Sequence, residues 1–462
     1  MPPGDGVALG GVTRERGERS SFALRYPAQY IAVAFVGASL VGAVVLSIPV
    51  ATEGPGGANP LTALFTATSA VCVTGLAVVD TPGYWSTFGE WVILLLIQVG
   101  GLGIMTLSSL IVLIVGRRLH LRQRLVAVAE TGTPDLGDLR RLLIGVIKLS
   151  FGVEAVVAVT LSLRLWLSHG EPVRRAGYLG LFHAVSAFNN AGFSLFADNL
   201  VGFRNDPFLL MVVALAVVVG GLGFPVWVQI ARHPRSPKKW NLHAKLTVAV
   251  TLLLVFAGWA LLAWFEWTNR ETLGPLSIAD SLVNALFHSV MPRTAGFNSL
   301  DVAGLRDPSL LVTEILMFIG GGSASTAGGI KVSTFGLLGW VMWAELRGDP
   351  DVVVFGRRVP GPSHRHAVTV ALLALGTLMV ATIGLLATSG LARADVFFEA
   401  VSALGTVGLS TGVTPLLPAA GRLIVIALMI LGRVGPPTVF AALVLRDRRR
   451  LYRPAEERPI IG

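Results

Sequence analysis

Charged residues are scarce in this chain. Asp, Glu, Lys and Arg make up only 14% of its 462 residues, whereas soluble proteins carry about 25%. Hydrophobic residues account for 53%, and the mean hydropathy is +0.70. Several apolar stretches reach the roughly 20 residues that a helix needs to cross a bilayer. The composition therefore excludes a soluble globular protein and predicts an all-α protein that crosses an inner-type membrane several times.

Cysteine is nearly absent, since Cys72 is the only one. A single cysteine excludes a framework of disulfides within the chain. The sequence also lacks a P-loop pattern and a convincing glycine-rich dinucleotide pattern, so we expect no nucleotide to bind this chain by those motifs. The N-terminal segment is polar and precedes a span longer than a signal-peptide core, so we expect no cleaved targeting segment.

The formal net charge of +10 would suggest nucleic acid as a partner if the protein were soluble. The distribution of the charge indicates membrane topology instead. Five segments hold 25 of the 37 Lys and Arg residues: 14–25, 117–141, 232–245, 347–365 and 446–458. All five lie on one side of the membrane if the helices alternate, and cytoplasmic loops carry such an excess. We therefore expect both termini in the cytoplasm, an even number of spans and no nucleic-acid partner.

A short motif recurs four times, and such repeats decide the fold before any local detail does. The copies are TATSAVCVTGL (66–76), HAVSAFNNAGF (183–193), HSVMPRTAGF (288–297) and EAVSALGTVGL (399–409). Each has a glycine next to its last residue: Gly75, Gly192, Gly296 and Gly408. The third copy is one residue shorter before its glycine.

A second, glycine-rich signature follows each motif after 24 to 28 residues. It reads GGLG from Gly100 and from Gly220, GGGS from Gly320, and GRVG from Gly432. Each repeat is then a span, a short helix too brief to cross the bilayer, a polar turn and a second span. The predicted parts are a cytoplasmic tail (1–26), four repeats (27–116, 140–232, 243–346 and 364–447) and a second tail (448–462). This organisation gives eight transmembrane helices and four re-entrant pore loops.

The polar turns predict a shared pore. Non-helical backbone at membrane depth is tolerated only where it is buried in protein or lines a watery cavity. Four short helices that point their C-terminal ends inward would bring negative dipole ends toward one cavity. Consecutive carbonyl groups could then replace the hydration shell of a cation. Glycine suits such a turn because a Cβ would forbid the conformation or the close approach.

Three aspartates follow the motif glycines by five or six residues: Asp80, Asp198 and Asp301. The fourth repeat has Ser410 and Thr411 there instead. Carboxylates around an entrance concentrate cations by focusing the local field, which predicts an outer mouth for a cation. The alternative is that each aspartate only caps a loop or a helix.

The segment GGGSASTAGG interrupts the second span of the third repeat. A glycine costs about 1 kcal/mol relative to alanine in a helix interior, so five of them predict a loop just below the third turn. In the fourth repeat Arg433 takes the position of Gly101 and Gly221, and an intramembrane charge is a functional hypothesis by default. We predict a gate across the ion path. Its residues are Gly320, Gly321, Gly322, Ser323, Ser325, Thr326, Gly328, Gly329, Lys331 and Arg433. The alternative is a packing loop whose carbonyl groups Arg433 binds.

The motifs VTG, NNAGF, RTAGF, GTVGLS and GRVGP, in this order, resemble the superfamily of K⁺ transporters that includes TrkH, KtrB and plant HKT. The resemblance covers nearly the whole chain, from Tyr26 to Arg450. The chain looks most like the KtrB-type pore-forming subunit, because TrkH proteins usually carry an extra pair of N-terminal spans. The resemblance implies four fused M1–pore helix–M2 units around a pseudo-fourfold pore in the plasma membrane of a bacterium.

The resemblance also implies that the four turns form a selectivity filter whose carbonyl groups bind the transported K⁺. The filter residues carried over are Val73, Thr74, Gly75, Asn190, Ala191, Gly192, Thr294, Ala295, Gly296, Thr406, Val407 and Gly408. A serine at the first glycine is associated with Na⁺ transport in the plant branch, so Gly75 favours K⁺. One glycine per turn, rather than the pair in tetrameric channels, implies looser selectivity. Na⁺ is a candidate activator.

The partners implied by the resemblance are a second copy of the chain and a cytosolic ring of nucleotide-binding (RCK-type) regulatory subunits. The homodimer would have one pore per subunit. The basic segments 117–141 and 232–245 are where such a ring would dock. Membrane topology alone already accounts for their charge.

Four other interpretations concern a metal site, the place of Arg293, an enzyme and a carrier. His183, His288 and Glu399 have metal-ligand chemistry, but they begin three pore helices and stand apart around the pore, which favours packing roles. Arg293 fits a place behind the third turn better than one in the pore, because a cation there would repel K⁺. An enzyme is not expected, because no nucleophile–base pair or metal cluster lies at membrane depth. The remaining alternative is a Na⁺/K⁺ carrier of the same superfamily that works by alternating access, although carriers usually show two inverted halves.

Overall fold

The computed structural model describes residues 27–118 and 136–435, and these are almost wholly helical. The helices are α1 (Pro27–Leu46), α2 (Pro60–Val71), α3 (Thr81–Tyr84), α4 (Thr87–Arg118), α5 (Leu136–His169), α6 (Val173–Phe188), α7 (Pro207–Leu222), α8 (Phe224–Arg232), α9 (Leu242–Glu266), α10 (Ile278–Val290), α11 (Asp307–Phe318), α12 (Val332–Arg347), α13 (Gly361–Ser389), α14 (Arg393–Gly405) and α15 (Ala419–Val434). A small antiparallel hairpin joins β1 (Val353–Val354) and β2 (Arg357–Arg358) after α12. Both predicted tails, most of the basic segment 117–141 and the end of the fourth repeat lie outside the described residues.

Polar residues at the helix N-termini fix where several helices begin. Asn59 accepts a hydrogen bond from the Leu61 amide at the start of α2, and Pro60 occupies the first turn. The side chains of Asp206, Asn241 and Ser277 cap α7, α9 and α10 in the same way. An N-cap side chain satisfies an amide that has no partner inside the helix. Short helices can therefore start at defined positions within an apolar chain.

The helices of consecutive repeats pack in a cycle. Within each repeat the first helix packs on the short helix that follows it: α1 on α2, α5 on α6, α9 on α10 and α13 on α14. Each second helix also packs on the short helix of the next repeat: α4 on α6, α7 on α10 and α11 on α14. The last helix, α15, packs on the first short helix, α2. The chain therefore closes on itself, with the first and fourth repeats in contact.

The short helices form the centre of the molecule. The second halves of α2 and α14 and the last seven residues of α6 are wholly buried, with Phe65, Phe182 and Phe398 at 0–1% exposure. The long helices α5 and α13 carry many exposed apolar side chains, such as Val156 at 67% and Val380 at 72%. Apolar side chains that face outward suit a lipid environment, in which every spanning backbone must be helical.

Within residues 27–118 and 136–435, three helix segments are long and apolar enough to cross a membrane by themselves: Ile144–His169, Leu242–Glu266 and Gly361–Ser389. The pair α7 and α8 would add a fourth span, but it bends by 95° at Gly223, whose φ is 92°. The second span of the third repeat is divided into α11 and α12, of 12 and 16 residues. Because the second helices are broken in this way, the eight full spans and their symmetry remain a prediction.

Candidate functional site

Each short helix α2, α6, α10 and α14 is followed by a three-residue turn with an unusual backbone. We name them turn 1 (73–75), turn 2 (190–192), turn 3 (294–296) and turn 4 (406–408). The first and last residues of every turn have positive φ: 55° and 89° at Val73 and Gly75, 59° and 70° at Asn190 and Gly192, 74° and 69° at Thr294 and Gly296, and 51° and 97° at Thr406 and Gly408. A positive φ is uncommon for any residue other than glycine. Three non-glycine types share it here at equivalent positions, so the surrounding structure imposes the conformation.

The four turns touch one another in a closed ring. A Cβ added to any of the four glycines would come closer than 3.0 Å to a carbonyl oxygen of the next turn. The pairs are Gly75 with Ala191, Gly192 with Ala295, Gly296 with Val407, and Gly408 with Thr74. The last pair joins turn 4 to turn 1. Any side chain at these positions would push the turns apart, so the ring requires glycine at all four.

Backbone hydrogen bonds tie each turn to its short helix. In turns 1, 2 and 4 the amide of the middle residue donates to a serine carbonyl five residues earlier. These bonds join Thr74 to Ser69 (2.8 Å), Ala191 to Ser186 (2.7 Å) and Val407 to Ser402 (2.8 Å). In turn 3 the Ala295 amide donates to the carbonyl of Met291, only four residues earlier, at 3.0 Å. The missing residue of the third motif is therefore absorbed in a tighter helix end, which leaves the turn itself unchanged.

Glycines of the second helices let those helices pack directly on the ends of the short helices. A Cβ on Gly100, Gly220 or Gly432 would lie closer than 3.0 Å to the carbonyl oxygens of Val71, Phe188 and Leu404, respectively. The equivalent Gly320 approaches Gly328 instead, within its own segment. The third repeat therefore differs from the others at this point, because its chain leaves the helix.

The segment 319–331 forms a loop that closes on itself. The Gly320 amide donates to the Ile330 carbonyl at 2.8 Å, and the Val332 amide donates to the Gly321 carbonyl at 3.0 Å. Ser325 donates to the Gly322 carbonyl at 2.7 Å, and the Ser323 and Ser333 hydroxyls lie 3.1 Å apart. Gly329 has a φ of 63°. The loop is thus ordered by internal hydrogen bonds.

The loop also contacts the second and fourth repeats. The Gly322 amide donates to the Gly221 carbonyl at 2.8 Å, and the Thr326 amide donates to the Gly220 carbonyl at 3.3 Å. A Cβ on Gly328 would meet the Thr406 hydroxyl of turn 4. The loop therefore lies against two of the turns and their second helices.

One buried cation, Arg433, and one partly buried cation, Lys331, are bonded to the loop carbonyls. Arg433 is 4% exposed. Its guanidinium donates to the carbonyl of Thr326 and, at 3.0 Å, to the carbonyl of Gly100 in α4. Lys331 Nζ donates to the carbonyls of Ala327 at 2.6 Å and Gly328 at 3.4 Å. Arg433 therefore connects the loop to the first and fourth repeats, and all ten predicted gate residues lie in or against this one segment.

The three predicted mouth aspartates are exposed and lie in the connections after their turns. Asp80 caps α3 by accepting from the Gly83 amide at 3.2 Å, and Asp301 accepts from the Ala303 amide at 3.1 Å. The capping alternative thus accounts for the side-chain contacts of these two. The Asp198 side chain accepts no such capping hydrogen bond within the described residues. Their role at a mouth stays a prediction.

Two carboxyl groups lie behind the fourth turn; sequence reasoning named Glu399 without this contact and missed Asp395. Ser410 donates to Glu399 at 2.8 Å, and Thr411 donates to Asp395 at 2.8 Å. Both acidic residues come from α14, so the fourth repeat has carboxyl groups although its loop has none. The spacing of four between Asp395 and Glu399 on a helix was the available signal, since such residues share a face.

The two motif histidines lie in the C-terminal halves of α6 and α10, not at the beginnings as predicted, and they are held within the protein. The His183 ring contacts the Leu179 carbonyl at 2.8 Å and the Ser194 hydroxyl at 3.1 Å, while His288 contacts Thr313 at 3.3 Å. Among the described residues, no three His, Cys, Asp or Glu side chains are grouped to hold a metal ion. Arg293 lies behind turn 3, where it donates to the carbonyl of Gly320 at 3.3 Å.

Comparison with known proteins gives consistent matches over nearly the whole chain. Residues 16–448 match the family described as TrkH, cation transport protein. The Ktr system potassium uptake protein B of Bacillus subtilis is 39% identical over 93% of this chain and 96% of its own length. The potassium/sodium uptake protein NtpJ of Enterococcus hirae is 36% identical over 94% of this chain and 97% of its own. In structure, the potassium transporter TrkH from Vibrio parahaemolyticus matches with a TM-score of 0.72 at 19% identity, over 94% of this chain and 87% of that one.

Proposed function

The chain belongs to the TrkH family of cation transport proteins, and from this premise we propose that it is the pore-forming subunit of a bacterial K⁺ uptake system. The observation that carries the proposal is the closed ring of four glycine turns. In this proposal turns 1 to 4 are the selectivity filter, the repeats stand around it with pseudo-fourfold symmetry, and their short helices are re-entrant. The relatives named as potassium uptake proteins support K⁺ as the cation.

The chemistry of the filter is the exchange of water for backbone carbonyl oxygens. A cation that leaves water needs a shell of oxygen ligands, which rings of carbonyl groups supply in K⁺ channels. In each turn, φ is positive at the first and last residue but not at the middle one. Reversing the sign of φ turns the next peptide over, so successive carbonyl groups can face one side, as ion coordination requires. The C-terminal ends of α2, α6, α10 and α14 add partial negative charge beside the ring.

We assign the gate to the loop 320–330 together with Arg433. The loop lies against the turns, and a guanidinium bonded to its carbonyl group raises the electrostatic cost of a passing cation. The bonds from Arg433 to Thr326 and Gly100 hold the loop between the third, fourth and first repeats. Opening would break these bonds and move the loop aside. The packing alternative assigns the same bonds to structure alone.

Arg433→Ala tests this gate. We expect faster K⁺ flux in proteoliposomes, because one hydrogen bond to a charged group is worth about 1.5–3 kcal/mol in holding the loop closed. Arg422→Ala is the matched control. Arg422 is also in α15, but it donates only to the carbonyls of Leu417 and Pro415, in the connection before that helix. A folded Arg433→Ala protein that conducts no faster than the parent leaves only the packing role.

The regulatory partner in this proposal is a cytosolic ring of nucleotide-binding subunits, and the pore subunit is a homodimer. The Bacillus subtilis relative is named as part of a Ktr system, and this name supports a multi-component assembly. The basic segment 232–245 has ordered contacts for docking: Trp240 donates to the His233 carbonyl at 3.0 Å, and Lys245 donates to the Lys238 carbonyl at 2.8 Å. Native mass spectrometry in mild detergent that shows only monomers would contradict the dimer.

A second candidate is a Na⁺/K⁺ carrier that works by alternating access. One relative is named as a potassium/sodium uptake protein, and this name supports Na⁺ as a second transported ion in this alternative. Carriers usually place their site between two inverted halves, whereas the four repeats here follow one another with the same element order. The repeat order therefore supports the pore.

Growth and flux measurements test the proposal directly. Expression should restore growth of a K⁺-uptake-deficient bacterium at low K⁺, and varying Na⁺ shows whether Na⁺ is required or competes. Single-channel current steps support the pore, while slow, saturable flux without steps supports the carrier. A chain that reaches the membrane but does not restore growth contradicts K⁺ uptake.

A further inference from the structure

A buried polar cluster lies behind turn 2, where three segments of the chain meet. Glu154 of α5 is 3% exposed and Asn189, the residue before turn 2, is 0% exposed. Gln98 comes from α4 in the preceding repeat. The sequence shows only an isolated glutamate in the apolar run FGVEAVVAV, and such a residue in a membrane span is rare and costly.

The hydrogen bonds of the cluster run in one direction. Asn189 Nδ2 donates to Gln98 Oε1 at 3.0 Å and to Glu154 Oε1 at 3.1 Å. Gln98 Nε2 donates to Glu154 Oε1 at 3.1 Å and Oε2 at 3.3 Å. The carboxyl group thus receives N–H donors from both amides. A carboxylate is the group that fits, because it only accepts.

No protein cation balances Glu154 within the described residues. The ion pairs found in residues 27–118 and 136–435 do not include it. Burying a carboxylate without a cation lowers the stability of the fold. We therefore infer that Glu154 has a role beyond packing. Its partner Asn189 indicates what that role is, because Asn189 immediately precedes Asn190, the first positive-φ residue of turn 2.

The other side of Asn189 is confined by backbone. A Cβ on Gly101 would collide with Asn189 Oδ1, and that oxygen has no hydrogen-bond partner among the described residues. Asn189 Nδ2 also donates to the Val185 carbonyl at 2.9 Å, one turn back in α6. Its side chain is therefore fixed between α4, α5 and α6, and it has little room for another orientation.

We propose that Glu154 and Gln98 are positioning residues that hold Asn189, and through it the geometry of turn 2, so that they help to determine ion selectivity. This inference rests on the proposed function of the turns as a filter. Neither residue belongs to a turn. They act from the helices of two different repeats on the same amide, and they make the spacing of turn 2 dependent on the packing of α4 against α5.

The decisive variant is Glu154→Gln, which has nearly the same shape but removes the negative charge and replaces one acceptor oxygen with an N–H donor. Even with its oxygen in the Oε1 position, its amide nitrogen faces Gln98 Nε2, which donates to Glu154 Oε2 in the parent. We expect the ratio of K⁺ to Na⁺ uptake to fall roughly tenfold, the change that loss of one hydrogen bond to a charged group produces. Gln98→Met removes the amide that bonds to both Asn189 and Glu154, and it should also lower the ratio of K⁺ to Na⁺ uptake. It therefore provides a second test if Glu154→Gln folds poorly.

Two controls separate selectivity from general damage. Glu314→Gln changes another glutamate at membrane depth, in α11, whose side chain bonds to no turn residue in the described part of the chain. Ser150→Ala changes a buried side chain one turn before Glu154 that bonds only to the Val146 carbonyl of its own helix. Both should leave the ratio of K⁺ to Na⁺ uptake unchanged.

A reversal variant provides a rescue. In Glu154→Gln combined with Asn189→Asp, the Gln98 amide can rotate so that it donates to position 189 and accepts from position 154. We expect the double variant to recover part of the lost ratio, which a general packing defect would not allow. If the parent takes up K⁺ but Glu154→Gln and Gln98→Met keep its ratio, the inference is overturned. If the parent takes up no K⁺ at all, the proposed function itself fails.

Discussion

Turns 1 and 4 are held differently from turns 2 and 3, although all four share one backbone conformation. In turns 1 and 4 a serine of the preceding helix accepts a hydrogen bond from the ring glycine: Ser69 from Gly75 and Ser402 from Gly408, both at 3.1 Å. In turns 2 and 3 the residue before the turn bonds to other segments of the chain. Asn189 bonds to Gln98 and Glu154, and Arg293 bonds to the carbonyl of Gly320.

The difference shows that the same turn conformation can be stabilised by a residue of its own short helix or by residues of other repeats. A serine in the helix end determines the turn within a single repeat, so turns 1 and 4 depend little on their neighbours. Turns 2 and 3 depend on how helices of different repeats pack, and Arg293 connects turn 3 to the loop that we assign to the gate. We therefore expect movements of the helices to reach turns 2 and 3 before turns 1 and 4.

The largest effect should come from Gly75→Ser, which attacks the feature common to all four turns. A side chain at positive φ costs roughly 1–2 kcal/mol, and its Cβ would collide with the Ala191 carbonyl. We expect loss of growth rescue at low K⁺ and a lower K⁺/Na⁺ permeability ratio. Gly37→Ser is the matched control, because nothing lies within 4 Å of a Cβ there. An unchanged permeability ratio in folded Gly75→Ser protein would contradict the filter assignment.

A smaller effect is expected from Arg293→Lys, which tests the distant mode of support. Lysine keeps the charge but lacks the rigid guanidinium that places Nη2 near both the Gly320 carbonyl and the Thr251 hydroxyl. We expect a loss of about 1–3 kcal/mol in stability, measured as a lower melting temperature in detergent, together with altered K⁺ flux through the loop. Arg306→Lys serves as a control, since Arg306 bonds to Phe265 and Thr268, outside the turns. Loss of stability with unchanged flux would show that turn 3 and the loop are not coupled.

The features that all four turns share could be predicted from the sequence, whereas the contacts that differ between the turns could not. The resemblance of the motifs implied family membership and a cation transport function, and both are confirmed. The missing residue in the third motif had no explanation until the Ala295 amide was seen to bond to Met291. The supports of Asn189 were unreadable, because Gln98 lies 91 residues away. The bond from Arg433 to Gly100 spans 333 residues, and only the packed chain brings such groups together.

The broken helices set a second limit on prediction. The glycine-rich segment predicted the interruption of the third repeat at 319–331, whereas the bend of the second repeat at Gly223 was not predicted. Where a helix is broken, another repeat supplies hydrogen-bond partners, such as the Gly221 carbonyl for the Gly322 amide. A hydropathy pattern contains no information about those partners, so it could not indicate the bend, and the eight full spans stay a prediction.

The smallest effect is expected from Ser69→Ala and Ser402→Ala, which test the local mode of support. Each removes one neutral hydrogen bond to a glycine amide, worth about 1 kcal/mol, while the backbone bond from the middle residue of the turn remains. We expect a modest fall in melting temperature and little change in the K⁺/Na⁺ ratio. Ser186→Ala, at the same position before turn 2, is an informative control, because Ser186 donates to the Phe193 carbonyl instead. If either substitution lowers the ratio as much as Glu154→Gln does, local and distant support are equivalent and the contrast between the two pairs of turns fails. If Ser69→Ala and Ser402→Ala combine additively, the two turns are independent even though Gly408 contacts Thr74.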